Sequence, residues 1–158
     1  MTSMIPTPSK KSAVIFIGIP ASGKSSFYNR FFKEEYTHIN LDTLHTRGKE
    51  TTLFTKCILN GDSFVVDNTN TKKSDRLRYI TPAKEAGYSI IGFFFQSILS
   101  DCIVRNNTRS GKAHISDIAI SSKSKELELP CIDEGFDDLF FVKLNDGDFI
   151  VEKWRDNS

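Results

Sequence analysis

Residues 18–25 combine glycines, a lysine and a serine at a spacing that suits phosphate binding. Their sequence, GIPASGKS, matches the pattern G-x-x-x-x-G-K-S/T. Gly18 and Gly23 allow the backbone to wrap a polyphosphate, to which consecutive amides and a helix N-terminus donate. The pattern predicts that Lys24 bridges the β- and γ-phosphates of a nucleoside triphosphate and that Ser25 binds Mg²⁺; a plain glycine turn is the alternative. The predicted nucleotide-binding residues of this loop are Gly18, Ala21, Ser22, Gly23, Lys24, Ser25 and Ser26.

Two aspartates lie at the ends of predicted strands, Asp42 in HINLDTL and Asp67 in VVDNTN. Because ligands of parallel sheets gather at the carboxyl ends of the strands, both side chains are expected in one cleft. A hydroxyl that accepts a phosphoryl group needs a carboxylate within about 3 Å to take its proton. A second carboxylate can hold Mg²⁺ through water. Position alone assigns neither role, and an N-cap is the alternative for each aspartate.

Arg105 and Arg109 lie four residues apart near the end of a predicted helix, just before residues 110–114. This arrangement predicts a lid whose arginines bind the donor phosphates and neutralise charge in the transition state. The alternative is that both arginines only complement the helix dipole. His38, His45 and His114 show no metal-binding spacing, and His114 in the predicted lid is the one histidine with a candidate role.

A second basic group follows Asp67 in residues 71–78 and predicts a phosphate-binding patch for the acceptor. The alternative is a solvent-exposed helix face on which Asp75 forms an ion pair with a neighbouring basic side chain. The basic residues of the predicted patch are Lys72, Lys73, Arg76 and Arg78.

The composition of the chain limits the classes of protein to which it can belong. The chain has 158 residues, 39% of them hydrophobic and 26% charged, which is enough apolar surface for one folded domain. Its 21 basic and 20 acidic residues give a net charge of +1, which excludes a protein that binds nucleic acid through an overall basic surface. Any polyanion must therefore bind at a local basic patch. Three cysteines without metal spacing, Cys57, Cys102 and Cys131, are predicted to be reduced thiols.

Residues 1–12 are rich in Thr, Ser, Pro and Lys and are expected to form a disordered tail before a single domain at residues 13–158. No apolar run has the length of a signal peptide or of a membrane span. We therefore expect a soluble intracellular monomer without a membrane partner, in either the cytoplasm or the nucleus.

Short apolar runs alternate with helical patterns along the chain. The alternation predicts right-handed crossovers and a mostly parallel sheet covered by helices on both faces, a three-layer α/β domain. Pro82 is expected to kink or split its helix. Five strands are predicted at residues 13–19, 37–41, 64–66, 89–95 and 139–144, with a short sixth strand at 149–151 left open. Helices are predicted from Lys24 for about three turns, through residues 53–58 to Gly61, at 72–86, at 98–106 and after Ser116.

The motifs GIPASGKSS, HINLDT, VVDNTN, RNNTR and EGFDDLF occur in this order along the chain. Together they resemble the kinase domain of polynucleotide 5′-hydroxyl kinases, of both the phage and the eukaryotic end-repair type, in the P-loop kinase superfamily. The resemblance implies a P-loop NTPase fold and transfer of the γ-phosphoryl group of ATP to the 5′-hydroxyl of DNA or RNA. It matches Asp42 to the general base of the family, Lys24 and Ser25 to its P-loop pair, Arg109 to its lid arginine and Asp67 to its functional aspartate after the third strand. We expect Asp42, Lys24 and Arg109 to be catalytic, and Ser25 and Asp67 to hold Mg²⁺. The expected substrate-binding residues are Asp42, Asp67, Lys72, Arg76 and Arg78, and the expected lid residues at the nucleotide are Arg105 and Arg109.

The chain departs from the family at two positions. Leu41 replaces an arginine that commonly precedes the catalytic aspartate, and His45 replaces an acceptor-binding arginine of the phage enzyme. No D-x-D-x-T segment of a phosphatase is present, so a separate 3′-phosphatase or ligase is the expected partner. Two other functions stay open: a P-loop kinase for a small hydroxylated metabolite or nucleoside, and a nucleotide-binding module without catalysis.

Overall fold

The computed structural model describes residues 10–109 and 114–155. In these residues six strands form one sheet in the order β2-β3-β1-β4-β5-β6. Neighbouring strands are parallel except for the last pair, which is antiparallel. The strands are β1 (Ser12–Ile17), β2 (Thr37–Ile39), β3 (Phe64–Val66), β4 (Ser89–Phe95), β5 (Asp138–Asn145) and β6 (Asp148–Lys153).

Helices connect the parallel strands. They are α1 (Lys24–Phe31), α2 (Leu41–Leu44), α3 (Arg47–Asn60), α4 (Lys73–Glu85), α5 (Leu99–Asn107) and α6 (Asp117–Glu126), followed by a 3₁₀ turn (Ile132–Glu134). Within the described ranges, none of these helices is both long and apolar enough to cross a membrane.

The central strand β1 is buried on both faces, as its continuous apolar sequence predicts. Ala13 and Ile15 pack on one face in a core with residues of α3 and α4. Val14 and Phe16 pack on the other face against aromatic residues of α1. Helices therefore cover both faces of the sheet, and the predicted three-layer α/β domain is confirmed.

Three elements near the site differ from the sequence-based prediction. The strand predicted at 37–41 ends at Ile39, because Asn40 caps the short helix α2, which no pattern predicted. Helix α1 has eight residues, about two turns and not three. Pro82 does not split its helix, which continues to Glu85. The proline lies in the last turn, so the helix loses only the one backbone hydrogen bond that the missing amide of residue 82 would donate.

The sheet has a full sixth strand. Asp146 and Gly147, both at positive φ, form a two-residue turn that pairs Asn145 with Asp148 and returns the chain as β6. The first strand begins at Ser12, which is buried, one residue before the predicted domain boundary. Most of the predicted tail, residues 1–9, and residues 110–113 of the predicted lid lie outside the described residues.

Candidate active site

The loop between β1 and α1 requires glycine at both ends. A Cβ on Gly18 would lie 2.7 Å from Oγ of Ser22 and 3.1 Å from Cβ of Phe95. Gly23 has φ of 104°, and the neighbouring Ala21 also lies at positive φ, 67°. The chain therefore makes a tight turn that ends at the amino end of α1, the geometry that suits a polyphosphate.

Lys24 lies buried under this loop. Its Nζ donates to the carbonyl oxygens of Gly18 at 2.9 Å and of Ile19 at 3.0 Å. Burial lowers the pKa of Lys24 to about 8, while the Asp67 carboxylate opposes the shift. Asp42 and Arg109, which line the same cleft as Lys24, act on the pKa of this ammonium with opposite signs: Asp42 raises it and Arg109 lowers it.

Asp67, just after β3, is buried and joins the loop to the sheet. Its Oδ2 accepts a hydrogen bond from Oγ of Ser25 at 2.9 Å and lies 2.7 Å from Nε2 of His38. The His38 ring stacks on Tyr28 with ring centroids 3.8 Å apart. No motif in the sequence indicates this role for His38, since the contact depends on neighbouring strands that meet at one edge of the sheet.

The oxygens of Ser25 and Asp67 fit a Mg²⁺ ion, which prefers oxygen ligands and usually shares them with substrate phosphates. In the part of the chain that the structure describes, no cluster of three or more His, Cys, Asp or Glu could hold a metal by itself. This donor pair therefore suits an ion that arrives with a nucleotide, rather than a permanently bound metal.

Asp42 is the second residue of α2. Oδ1 of Asn40 accepts from the Thr43 amide at 3.1 Å and caps the helix, while its Nδ2 donates to the Asp67 carbonyl. The Leu41 amide donates to Oδ1 of Asn68 at 2.9 Å. These bonds tie α2 to the end of β3, and the exposed Asp42 lines the same cleft as Asp67, as the strand-end positions predict.

The cleft has a volume of about 480 Å³ and runs from the phosphate-binding loop to α3 and α4. His45 has φ of 73° and is exposed, and within the described chain neither it nor His114 lines the cleft. Arg47 and Lys123, which the sequence did not single out, do line it. The cleft-lining cations are Lys24, Arg47, Lys72, Arg78, Arg109 and Lys123, and the carboxylates are Asp42, Asp67, Asp75 and Glu126.

The structure corrects the prediction that Arg76 binds substrate. Its side chain is fully buried and forms two hydrogen bonds, of 2.7 and 2.9 Å, with the carboxylate of Glu134. Nη1 donates to the carbonyl oxygens of Asn70 and Thr71. Arg76 therefore stabilises the floor of the cleft, and its burial keeps it from contact with a substrate phosphate, whereas Lys72 and Arg78 line the cleft as expected.

Arg105 also differs from its expected place at the donor phosphates. Its Nε donates to the carbonyl oxygen of Ala21 at 2.7 Å, and among the described residues it is not part of the cleft lining. Arg105 thus supports the left-handed turn of the phosphate-binding loop from α5. Arg109, one turn later, lies in the cleft.

Known proteins are similar to this chain in sequence. No protein-family profile matches it. It is 34% identical over 137 residues to a protein of Acanthamoeba polyphaga mimivirus named as a bifunctional polynucleotide phosphatase/kinase, covering 82% of this chain and 32% of that protein. It is 28% identical over 129 residues to the Schizosaccharomyces pombe bifunctional polynucleotide phosphatase/kinase, covering 78% of this chain and 31% of the relative. The chain thus spans about a third of the length of these curated relatives, and the predicted resemblance to polynucleotide kinases is confirmed.

Solved structures show the same fold at low sequence identity. Kti12 of Chaetomium thermophilum in complex with ADP-AlF3 has a TM-score of 0.63 at 16% identity, covering 85% of this chain and 90% of that one. A gluconokinase of Sinorhizobium meliloti 1021 has a TM-score of 0.59 at 18% identity, covering 84% and 82%. A chain of the Pnkp1/Rnl/Hen1 RNA repair complex has a TM-score of 0.64 at 20% identity, covering 75% and 44%. The chain therefore has the P-loop NTPase fold that the sequence predicts.

Proposed function

We propose that this chain, which has the P-loop NTPase fold and is similar in sequence to bifunctional polynucleotide phosphatase/kinases, is an ATP-dependent polynucleotide kinase. It transfers the γ-phosphoryl group of ATP to the 5′-hydroxyl end of DNA or RNA. The observation that carries the proposal is that Asp42 lines one cleft with Lys24 and Ser25 of the phosphate-binding loop. A carboxylate for the acceptor hydroxyl thus faces the loop for the donor phosphates.

The donor end of the cleft binds Mg·ATP. The amides of the loop and the Lys24 ammonium bind the β- and γ-phosphates, for which Lys24 exchanges its present carbonyl partners. Ser25 and Asp67 would hold Mg²⁺, which neutralises charge on the β- and γ-phosphates when it is bound. His38 orients the Asp67 carboxylate, and Arg109 stabilises the charge of the transferring group.

At the acceptor end Asp42 accepts the proton of the 5′-hydroxyl while the oxygen of that hydroxyl bonds to the γ-phosphorus. The bond between the γ-phosphorus and the β–γ bridging oxygen breaks in the same transfer, and ADP leaves. Asp42 is exposed, and the backbone amides of its neighbours Leu41 and Thr43 are held by hydrogen bonds. Its carboxylate can therefore reach a hydroxyl in the cleft without any rearrangement of α2. Arg47, Lys72 and Arg78 bind the phosphates that follow the acceptor nucleotide. Arg47 supplies a cation in the segment where Leu41 and His45 replace the arginines of the family.

A kinase for a small hydroxylated molecule is the second candidate. It is favoured by the likeness to the gluconokinase fold and by Asp75 and Glu126, two carboxylates that line the acceptor end and repel a polyanion. The two candidates differ in whether the acceptor carries phosphates beyond its hydroxyl.

Product analysis tests the proposal. The protein is incubated with γ-labelled ATP, Mg²⁺ and an oligonucleotide with a 5′-hydroxyl, and the same oligonucleotide with a 5′-phosphate is the control. We expect label at the 5′ end of the first oligonucleotide and none on the second. Label on gluconate or a nucleoside, with none on the 5′-hydroxyl oligonucleotide, would replace the proposal by the second candidate.

The partners follow from the same proposal. The phosphatase in the relatives' names is not assigned to this chain, which matches about a third of their length. We propose that a separate 3′-phosphatase or ligase acts on the same ends, in a soluble intracellular setting, and that the kinase itself is a monomer. A relative of similar fold in an RNA repair complex supports such a partner.

A further inference from the structure

A buried polar cluster lies behind the helix that carries Asp42. At its centre is Glu50 of α3, whose side chain is 1% exposed. Its carboxylate accepts hydrogen bonds from Nδ2 of Asn68 at 2.6 Å, from the Tyr79 hydroxyl at 2.8 Å and from Nη1 of Arg47 at 2.7 Å. Three segments of the chain, α3, α4 and the turn after β3, therefore meet at one carboxylate.

Both oxygens of the Glu50 carboxylate accept hydrogen bonds in this cluster, which a buried carboxylate needs. Tyr79 is 2% exposed and also lies 3.1 Å from Nη1 of Arg47. Burial and the Glu50 carboxylate raise the pKa of Tyr79 to about 12, so the hydroxyl remains a donor at neutral pH. Arg47 is half exposed and reaches from the cluster into the cleft.

Asn68 connects this cluster to the site. A carboxylate only accepts hydrogen bonds, so Glu50 requires the amide group of Asn68 to turn its NH₂ inward. The carbonyl oxygen of that amide then points to the Leu41 amide, from which it accepts at 2.9 Å. Helix α2 has only four residues, too few to be stable alone, so such outside contacts set its position.

We propose that Glu50 is a positioning residue for phosphoryl transfer: through the orientation of Asn68 it fixes the backbone at Leu41 and thereby aims the Asp42 carboxylate at the acceptor hydroxyl. This inference rests on the proposed role of Asp42. Glu50 itself touches no substrate. A neutral amide at position 50 keeps the shape but can donate as well as accept, so it no longer selects one orientation of Asn68.

Hydrogen exchange of residues 41–45 tests the structural step without any acceptor. In Glu50→Gln we expect the Leu41 amide to exchange about tenfold faster, while the segment at residues 18–28 is unchanged. The matched control is Glu85→Gln, which removes an exposed carboxylate at the end of α4 and should leave exchange and transfer as in wild type. Unchanged exchange at residues 41–45 in Glu50→Gln would overturn the inference.

A double-mutant cycle tests the functional step. We expect Glu50→Gln to lower kcat by on the order of 10²-fold, as for an ångström-scale misplacement of a reacting group, with the KM for ATP unchanged. In the Asp42→Asn background the same change should have almost no further effect, because the group that it positions is gone. A full additional loss in that background would show a general structural role and would overturn the inference.

One further variant and one change of acceptor keep the two proposals separable. If Glu50→Gln does not fold, Asn68→Ala breaks the link while Glu50 keeps Arg47 and Tyr79, and it should give the same exchange and kcat changes. Normal exchange in Asn68→Ala would overturn the inference. If the wild-type protein transfers label only to a small molecule, the proposed polynucleotide function fails. The double-mutant cycle of Glu50→Gln and Asp42→Asn is then carried out with that small molecule as the acceptor, and it still tests the role of Glu50.

Discussion

The Ser25 hydroxyl donates a hydrogen bond of 2.9 Å to the carboxylate of Asp67, although the two residues are 42 positions apart in the chain. Ser25 is the second residue of α1, and Asp67 follows β3, the strand beside β1. The bond holds together the oxygen pair of the proposed Mg²⁺ site in the absence of a nucleotide. It also places the loop at a fixed distance from α2, because Asn40 donates to the backbone of Asp67.

The pH dependence of ATP affinity checks the role of Lys24. Burial lowers its pKa to about 8, so the ammonium loses its proton, and its attraction for phosphate, as pH rises through 8. ATP affinity should fall between pH 8 and 10, where ATP no longer titrates, since phosphate has a second pKa of about 6. Fluorescence titration measures this affinity, and Lys24→Arg is the control, which should bind with little dependence on pH.

The free energy of unfolding should change in the opposite direction over the same range. The pKa of Lys24 is lower in the folded protein, about 8, than its ordinary value of 10.5. The unfolded chain therefore binds more protons between these values, and stability rises with pH in that window. Denaturant unfolding at pH 7.5 and 10 should show this rise, and a smaller one in Lys24→Met. An equal rise in both proteins would contradict burial of the charge.

Asp42→Asn should separate catalysis from nucleotide binding. The amide cannot take the proton of the acceptor hydroxyl, so kcat should fall by about 10² to 10⁴, the usual contribution of acid–base catalysis. Mg·ATP binding should be retained, because Lys24, Ser25 and Asp67 are intact. Steady-state kinetics and nucleotide titration test both parts. Loss of Mg·ATP binding with transfer intact at saturating Mg²⁺ would remove Asp42 from the role of base.

Arg76→Ala and Arg78→Ala form a matched pair on α4. Removing Arg76 leaves Glu134 as an uncompensated buried charge, so the free energy of unfolding should fall by about 3–5 kcal/mol. Removing Arg78, which lines the cleft, should leave stability unchanged and weaken oligonucleotide binding. Denaturant unfolding and binding titrations distinguish the two residues. A stable Arg76→Ala protein with weak oligonucleotide affinity would restore Arg76 as a substrate contact.

Arg109→Ala should lower kcat with little change in the KM for the oligonucleotide. The interaction of Arg109 with the transferring group is stronger in the transition state than in the ground state, and such losses appear in kcat. Initial-rate kinetics at varied oligonucleotide concentration measure the two constants. An increase confined to the oligonucleotide KM would instead make Arg109 an acceptor-binding residue.

The core of the fold could be predicted from sequence because its signals are local. Parallel strands buried on both faces are continuous apolar runs, so β3 and β4 have the predicted bounds. The glycine loop between β1 and α1 is defined by its own eight residues. The positions of Asp42 and Asp67 followed from strand ends, which a parallel sheet brings to one edge.

Contacts between distant residues could not be predicted in this way. In the sequence Arg76 looks like any exposed basic residue on a polar helix. Its burial depends on contacts that the local sequence does not show, above all the ion pair with Glu134, 58 positions away. Helix α2 depends on the distant Asn68 amide as well as on its own cap, Asn40. The same is true of Glu50, which lacks any motif and is identified only by the three donors around its carboxylate.

The salt dependence of kcat/KM for a 5′-hydroxyl oligonucleotide, measured beside that for the matching nucleoside, tests the proposed function most directly. Contacts of two or three phosphates with Arg47, Lys72 and Arg78 predict a log–log slope of roughly −1.4 to −2.1, about 0.7 per contact, and Arg78→Ala should lose about 0.7 of it. The nucleoside should react poorly and with almost no slope. Equal kcat/KM for the two acceptors, with a flat salt dependence that Arg78→Ala leaves unchanged, would contradict a polynucleotide kinase and favour a kinase for small molecules.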